Sequence, residues 1–156
     1  MKKLLFTLVG LALSVPCAHA ASKDVVAPII QFINAFNAGD TKTAFATYAT
    51  GNILIIDEFA PHAWTGPHAA QDWADAYDRH AQATGVTEGK VTYSAATRVE
   101  VEGDAAYVVM PTTYLYKEHG NAIAEKGQIT VVLTRQSGAW KIRGWTWSGE
   151  KPHPPN

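Results

Sequence analysis

The apolar residues of this chain change their spacing once, at Gly85, and that change restricts the fold more than any other feature. Before it they recur at helical intervals. Ile29, Phe32, Ile33 and Phe36 fall at i, i+3, i+4 and i+7, and Ala70, Trp73, Tyr77 and Ala81 form a second stripe. From Val86 onward the period is two, with Val91, Tyr93 and Ala95 alternating against Thr92, Ser94 and Ala96. Turn signals at Gly103-Asp104, His119-Gly120-Asn121 and Ser137-Gly138 cut this half into strands over 86–102, 105–117, 122–135 and 139–148. In the first half, Asp24 is placed to cap a helix starting at Val25, with Pro28 in its first turn, and Asp40 to cap a second that ends near Gly51. Pro67 opens a third, which Gly85 ends. A short strand, 52–56, lies between the second and third. The prediction is an α+β domain in which a strongly curved antiparallel sheet wraps three N-terminal helices as a cone. Strands well beyond the usual length of about 5–6 residues tend to curl, and curling leaves a cavity at the wide end.

The first twenty residues read as an address rather than as part of that fold. Lys2 and Lys3 precede an apolar run from Leu4 to Val15, Pro16 breaks it, and Ala18-His19-Ala20 is a small-x-small cleavage signal. Cleavage after Ala20 is expected, giving an exported chain, periplasmic or secreted. Its domain would cover 21–150, followed by a disordered proline-rich tail over 151–156. The only cysteine, Cys17, falls inside the signal, so no disulfide or thiolate ligand is expected beyond it. Loss of Lys2 and Lys3 leaves 11 basic against 14 acidic residues, a formal charge of −3. No basic stripe is present to displace counterions from nucleic acid, and no stretch after the signal is long enough to span a membrane. Neither a glycine-rich phosphate loop nor a dinucleotide fingerprint occurs, so no cofactor is expected.

One segment carries the chemistry. The strand Ile53-Leu54-Ile55-Ile56 ends on Asp57, and a charge at the end of an apolar strand has two explanations. Either the carboxylate has reached solvent, or it lines a pocket as a base whose pKa burial raises. His62, in the following loop, could orient Asp57 or bind a ligand oxygen, or be a surface histidine. Glu58 is expected to point away from Asp57. Candidate lining comes from Phe32, Tyr48, Trp64, Trp73 and Tyr77 in the first half, and from Met110, Thr112 and Tyr114 on one long strand. A metal site from Asp57, His62, His68 and His80 lacks any paired-histidine helical spacing, and none is expected. Trp145 and Trp147 alternate out of phase with Trp140 and Ile142. That phase puts them on the outer face of the sheet as homodimer contacts, unless a bulge near Gly144 reverses it.

Phe36-Asn37-Ala38-Gly39-Asp40, the strand ending at Asp57, Trp64-Thr65-Gly66 and Trp140-Lys141-Ile142-Arg143 together resemble the nuclear transport factor two-like superfamily. Its SnoaL-like and ketosteroid-isomerase-like members are the nearest in pattern, over residues 24 to about 150. The resemblance implies a cone-shaped cystatin-like, or SnoaL-like, roll and makes Asp57, nine residues before Gly66, the general base of an isomerase. The hydroxyl and carboxyl donors of those isomerases fall on Phe32 and near Thr112, so the oxyanion hole is not carried over. Three functions stay open. The chain could bind a small apolar molecule in the cone. It could be an isomerase, dehydratase or cyclase using Asp57 as proton shuttle, with His62, Thr112 or Tyr114 as donors. It could be a dimeric assembly module with a vestigial pocket.

Overall fold

The computed structural model describes residues 17–155, with side chains from Lys23 onward. The first sixteen positions of the expected export signal lie outside the described residues. The elements are helices α1 (Cys17–Ala38) and α2 (Thr41–Phe45), strands β1 (Ile53–Ile56) and β2 (Ala63–Gly66), helix α3 (Ala69–Thr84), and strands β3 (Val86–Tyr93), β4 (Arg98–Glu102), β5 (Ala105–Glu118), β6 (Asn121–Gln136) and β7 (Ala139–Gly149). Among the described residues no helix is long and apolar enough to cross a membrane.

The period change at Gly85 is a real boundary. Gly85 closes α3 in the left-handed conformation, φ 71, and β3 begins at the next residue. Gly39, φ 67, ends α1 in the same way. Asp40 then caps α2, its Oδ1 accepting from the Thr43 N–H at 3.0 Å. Two helix starts differ from expectation. α1 begins before Asp24, so Asp24 caps nothing and Pro28 is internal. An internal proline forgoes one backbone hydrogen bond. Burial of Val25, Ile29 and Ile33 beside it, at about 1.5–3 kcal/mol each, offsets that loss. α3 starts at Ala69, two residues beyond Pro67.

The sheet runs β2-β1-β7-β6-β5-β3, with β4 also paired to β5. It bends around the helices without closing. The sheet is mixed rather than purely antiparallel, because β1 lies parallel to β7. The expected single strand over 86–102 is two, interrupted at 94–97. β2 is an extra strand where a loop was expected, pairing with β1 as a hairpin in register Ile53↔Gly66 to Ile56↔Ala63. That hairpin sets the position of Asp57, the first residue of its connecting loop.

A bulge on β7 decides which residues face the helices. Val132 pairs with Gly144 and Leu133 with Ile142, leaving Arg143 unpaired. One extra residue reverses the alternation. Trp140 and Ile142 before it, and Trp145 and Trp147 after it, therefore all turn toward the helix layer. Trp145 is buried, against Phe32 at 5.9 Å and Trp73 at 5.3 Å between ring centroids. The expected outward phase of Trp145 and Trp147 is thus reversed: both face the helix layer rather than the outer face of the sheet. The proline-rich end, expected to be disordered, runs back beside β6, where Ala124 and His153 exchange two backbone hydrogen bonds.

Candidate functional site

Asp57 is held from two sides. Its Oδ1 accepts from the backbone N–H of Glu58 at 2.8 Å, and its Oδ2 accepts from the indole N–H of Trp73, on α3, at 2.9 Å. The loop it opens is closed by its own N–H donating to the His62 carbonyl at 3.0 Å. Burial pushes the Asp57 carboxyl above the usual carboxylate range. The Trp73 and Glu58 hydrogen bonds pull the other way, as does the His80 charge, while the Glu125 charge adds to the rise.

Three further carboxyls share the space: Glu58, Glu118 and Glu125. Glu58, expected to point away from Asp57, lines the same cavity, because past the end of β1 the chain is loop and strand parity no longer applies. The residue is partly exposed, yet partial desolvation, then hydrogen bonding and repulsion from Glu125, then Asp57 push its pKa up to about 8. Glu125 comes from β6 and is 2% exposed. Its Oε1 accepts from the Tyr116 hydroxyl at 2.6 Å; among the described residues its Oε2 has no N–H or hydroxyl donor, and the Glu58 carboxyl reaches Glu125 as a donor only when protonated.

Tyrosines complete the polar set. The hydroxyls of Tyr77 on α3 and Tyr114 on β5 meet at 2.7 Å. Whichever donates, the other keeps a proton for a ligand. Burial holds both above the usual tyrosine pKa, and for Tyr114 the Tyr77 hydroxyl adds to it. Gly89 makes room for the pair, since a Cβ there would lie 2.7 Å from the Tyr77 hydroxyl and 2.8 Å from that of Tyr114. These groups line a cavity of about 340 Å³ between α1, α3 and the concave sheet, with Pro152 of the tail at its edge. The volume is within the range of small-molecule sites.

The profile of the SnoaL-like domain matches residues 25–148. The chain belongs to the SnoaL-like family. No curated protein matches its sequence. Among solved structures it is similar to a ketosteroid isomerase-like protein from Erwinia carotovora atroseptica, at 20% identity and a TM-score of 0.65, covering 84% of this chain and 97% of that one. It is also similar to hexachlorocyclohexane dehydrochlorinase LinA-type3 from Novosphingobium barchaimii, at 15% identity and a TM-score of 0.71, covering 88% and 92%. An NTF-2 like protein of unknown function from Shewanella oneidensis gives 16% and 0.58, covering 82% and 98%. At these identities the likeness is one of fold.

Within this SnoaL-like cone, Asp57, Phe32, Trp73, Tyr77, Thr112 and Tyr114 line the cavity. The other sequence candidates lie elsewhere. Tyr48 is buried behind the lining, its hydroxyl accepting from the Trp145 indole N–H at 2.7 Å. Trp64 packs behind Phe59 at 5.1 Å, and Met110 is closed core. His62 is exposed, its ring 3.4 Å from the backbone carbonyl of Asp57 and not at the carboxylate. Thr112 is less available than expected, because its Oγ accepts from the Trp147 indole N–H at 3.0 Å. Sequence reasoning missed Tyr116, Glu118 and Glu125, turned Glu58 away from the site and weighed His80 only as a metal ligand. Glu125 had a signal: it is a charge in a long strand at the position facing Tyr114.

Proposed function

We propose that the chain binds a small, largely apolar molecule in the cone cavity. The observation that carries this reading is an aromatic-walled hollow in which polar groups from the β1–β2 loop, α3, β5 and β6 converge. Native mass spectrometry of the purified protein, scanned for co-purifying compounds, tests it together with thermal stabilisation by apolar ligands. Stabilisation lost in Tyr114→Ala supports the reading; a bare protein that no apolar compound stabilises counts against it. Export, with cleavage after Ala20, belongs to the same proposal and is checked by the N-terminal residue of the mature protein.

A second reading is favoured by Asp57. An oriented carboxylate with a raised pKa beside a free tyrosine proton is the equipment of an isomerase, dehydratase or cyclase that moves a proton between carbon atoms. Asp57 would take the proton, and the Tyr77–Tyr114 pair would donate to the developing enolate oxygen, a contact worth roughly 3 kcal/mol. Asp57→Asn should abolish turnover of any substrate found; turnover that survives rejects this role.

An assembly role would use the outer sheet face instead of the tryptophans. Leu54, Gly144, Val132 and Tyr107 form one row across β1, β7, β6 and β5, with Leu54 43% and Val132 44% exposed. A homodimer through this row should dissociate in Val132→Lys; a wild-type monomer at micromolar concentration rejects it.

A further inference from the structure

We propose that the ligand of this cavity is an organic cation: an apolar or aromatic molecule carrying a protonated primary or secondary amine whose N–H groups bond Glu125. This rests on the small-molecule reading above and specifies the chemical class.

The starting point is Glu125. It is almost fully buried on β6, yet the Tyr116 hydroxyl serves only one of its two oxygens. Among the described residues Oε2 has no N–H or hydroxyl donor, and the Glu58 carboxyl can serve Glu125 only while it carries a proton. A buried carboxylate oxygen left without a partner is costly, and the cost is removed by a donor, most effectively a charged one. Among the described residues the cavity offers Oε2 no charged donor, only the proton that Glu58 shares with Glu125. Asp57, Glu58, Glu118 and Glu125 all line the cavity, and no lysine or arginine does; His80 is the sole basic side chain there. The hollow therefore repels anions and lacks a counter-charge for its own carboxylates.

The remaining walls suit the same guest. The rings of Phe36, Trp73, Tyr77, Tyr114 and Trp147 line the cavity, and aromatic faces attract cations most strongly where water is excluded. A metal ion is a poor alternative, since no three His, Cys, Asp or Glu side chains gather with ligand geometry among the described residues. A quaternary ammonium would leave Oε2 without a hydrogen bond, which is why an amine with N–H groups fits better. Glu58 adds a second sign of binding. Partial burial, hydrogen bonding to Glu125 and the charges of Glu125 and Asp57 push its pKa up to about 8, with Glu118 and His80 also lining the cavity, so near neutrality it holds a proton beside Glu125. An arriving ammonium replaces that proton and releases it.

Three probes with one indole body separate the possibilities: tryptamine (cation), tryptophol (neutral alcohol) and indoleacetate (anion), titrated calorimetrically at pH 7 into the intact protein. Tryptamine should bind at least about tenfold tighter than tryptophol, with net proton release seen as a dependence on buffer ionisation enthalpy, and indoleacetate should not bind. In Glu125→Gln the tryptamine advantage should vanish while tryptophol binding persists. Tryptophol binding as tightly as tryptamine in the wild type, or indoleacetate binding at all, overturns the cation inference and leaves small-molecule binding intact. No binding of any probe up to millimolar concentration counts against both.

Discussion

The indole N–H of Trp73 donates to Oδ2 of Asp57 at 2.9 Å, tying α3 to the loop that follows β1. This bond turns the carboxylate of a strand end into a fixed element of the cavity wall. It also favours the ionised form, against the burial that disfavours it.

Trp73→Phe should therefore raise the Asp57 pKa further and cost about 1–3 kcal/mol, the usual effect of removing a donor from a charged acceptor. Carboxyl carbon shifts followed against pH read the first effect, and urea denaturation reads the second.

Glu58 predicts a pH dependence of stability. Its folded pKa lies above its unfolded value, so between roughly 4.5 and 8 the native state binds more protons than the unfolded one. Stability from this group is then present at low pH and falls as pH rises through that window. Urea denaturation from pH 5 to 8 should show a shallower decline in Glu58→Gln than in the wild type. Parallel curves would mean that Glu58 titrates normally.

Gly89→Ala should destabilise by about 1–3 kcal/mol, because its Cβ would press on the hydroxyls of Tyr77 and Tyr114. The clash is with hydroxyl oxygens. Placing the same change in a Tyr114→Phe background should recover part of the loss, which a double-mutant cycle measures.

Trp145→Ala should cost about 3–5 kcal/mol, the penalty of emptying a core aromatic site. A tryptophan on the outer sheet face would lose about 0.5 kcal/mol or less. Chemical denaturation thus checks the phase that the Arg143 bulge imposes.

The large features were legible because they depend on periodicity. The stripe Ile29-Phe32-Ile33-Phe36, the switch at Gly85 and the hairpin turns each follow from local rules, and together they place Asp57 at a strand end beneath the helices. The finer phase was not legible. Gly144 pointed to a bulge in Trp140 to Ser148, but whether one forms, leaving Arg143 unpaired, is set by the partner strand β6. The hairpin partner β2 was hidden because four residues, Ala63–Gly66, carry too little pattern. Tyr48, Trp64 and Met110 were right in burial and wrong in depth, because a helical or strand face does not say whether it meets a void or another side chain. Glu58, Tyr116 and Glu125 become neighbours only when the β1–β2 loop is brought over β5 and β6, a relation between distant segments.

On the proposed reading a small molecule enters the interior of the cone and not its outer face. Methyl carbon–proton NMR spectra of the protein titrated with tryptamine distinguish the two. Ile33 and Ile129 line the cavity, whereas Leu54, Ile56 and Val132 are exposed and Leu54 and Val132 share the outer row. Shifts concentrated at Ile33 and Ile129 are the predicted result; shifts confined to Leu54, Ile56 and Val132, or none at saturating ligand, would contradict it.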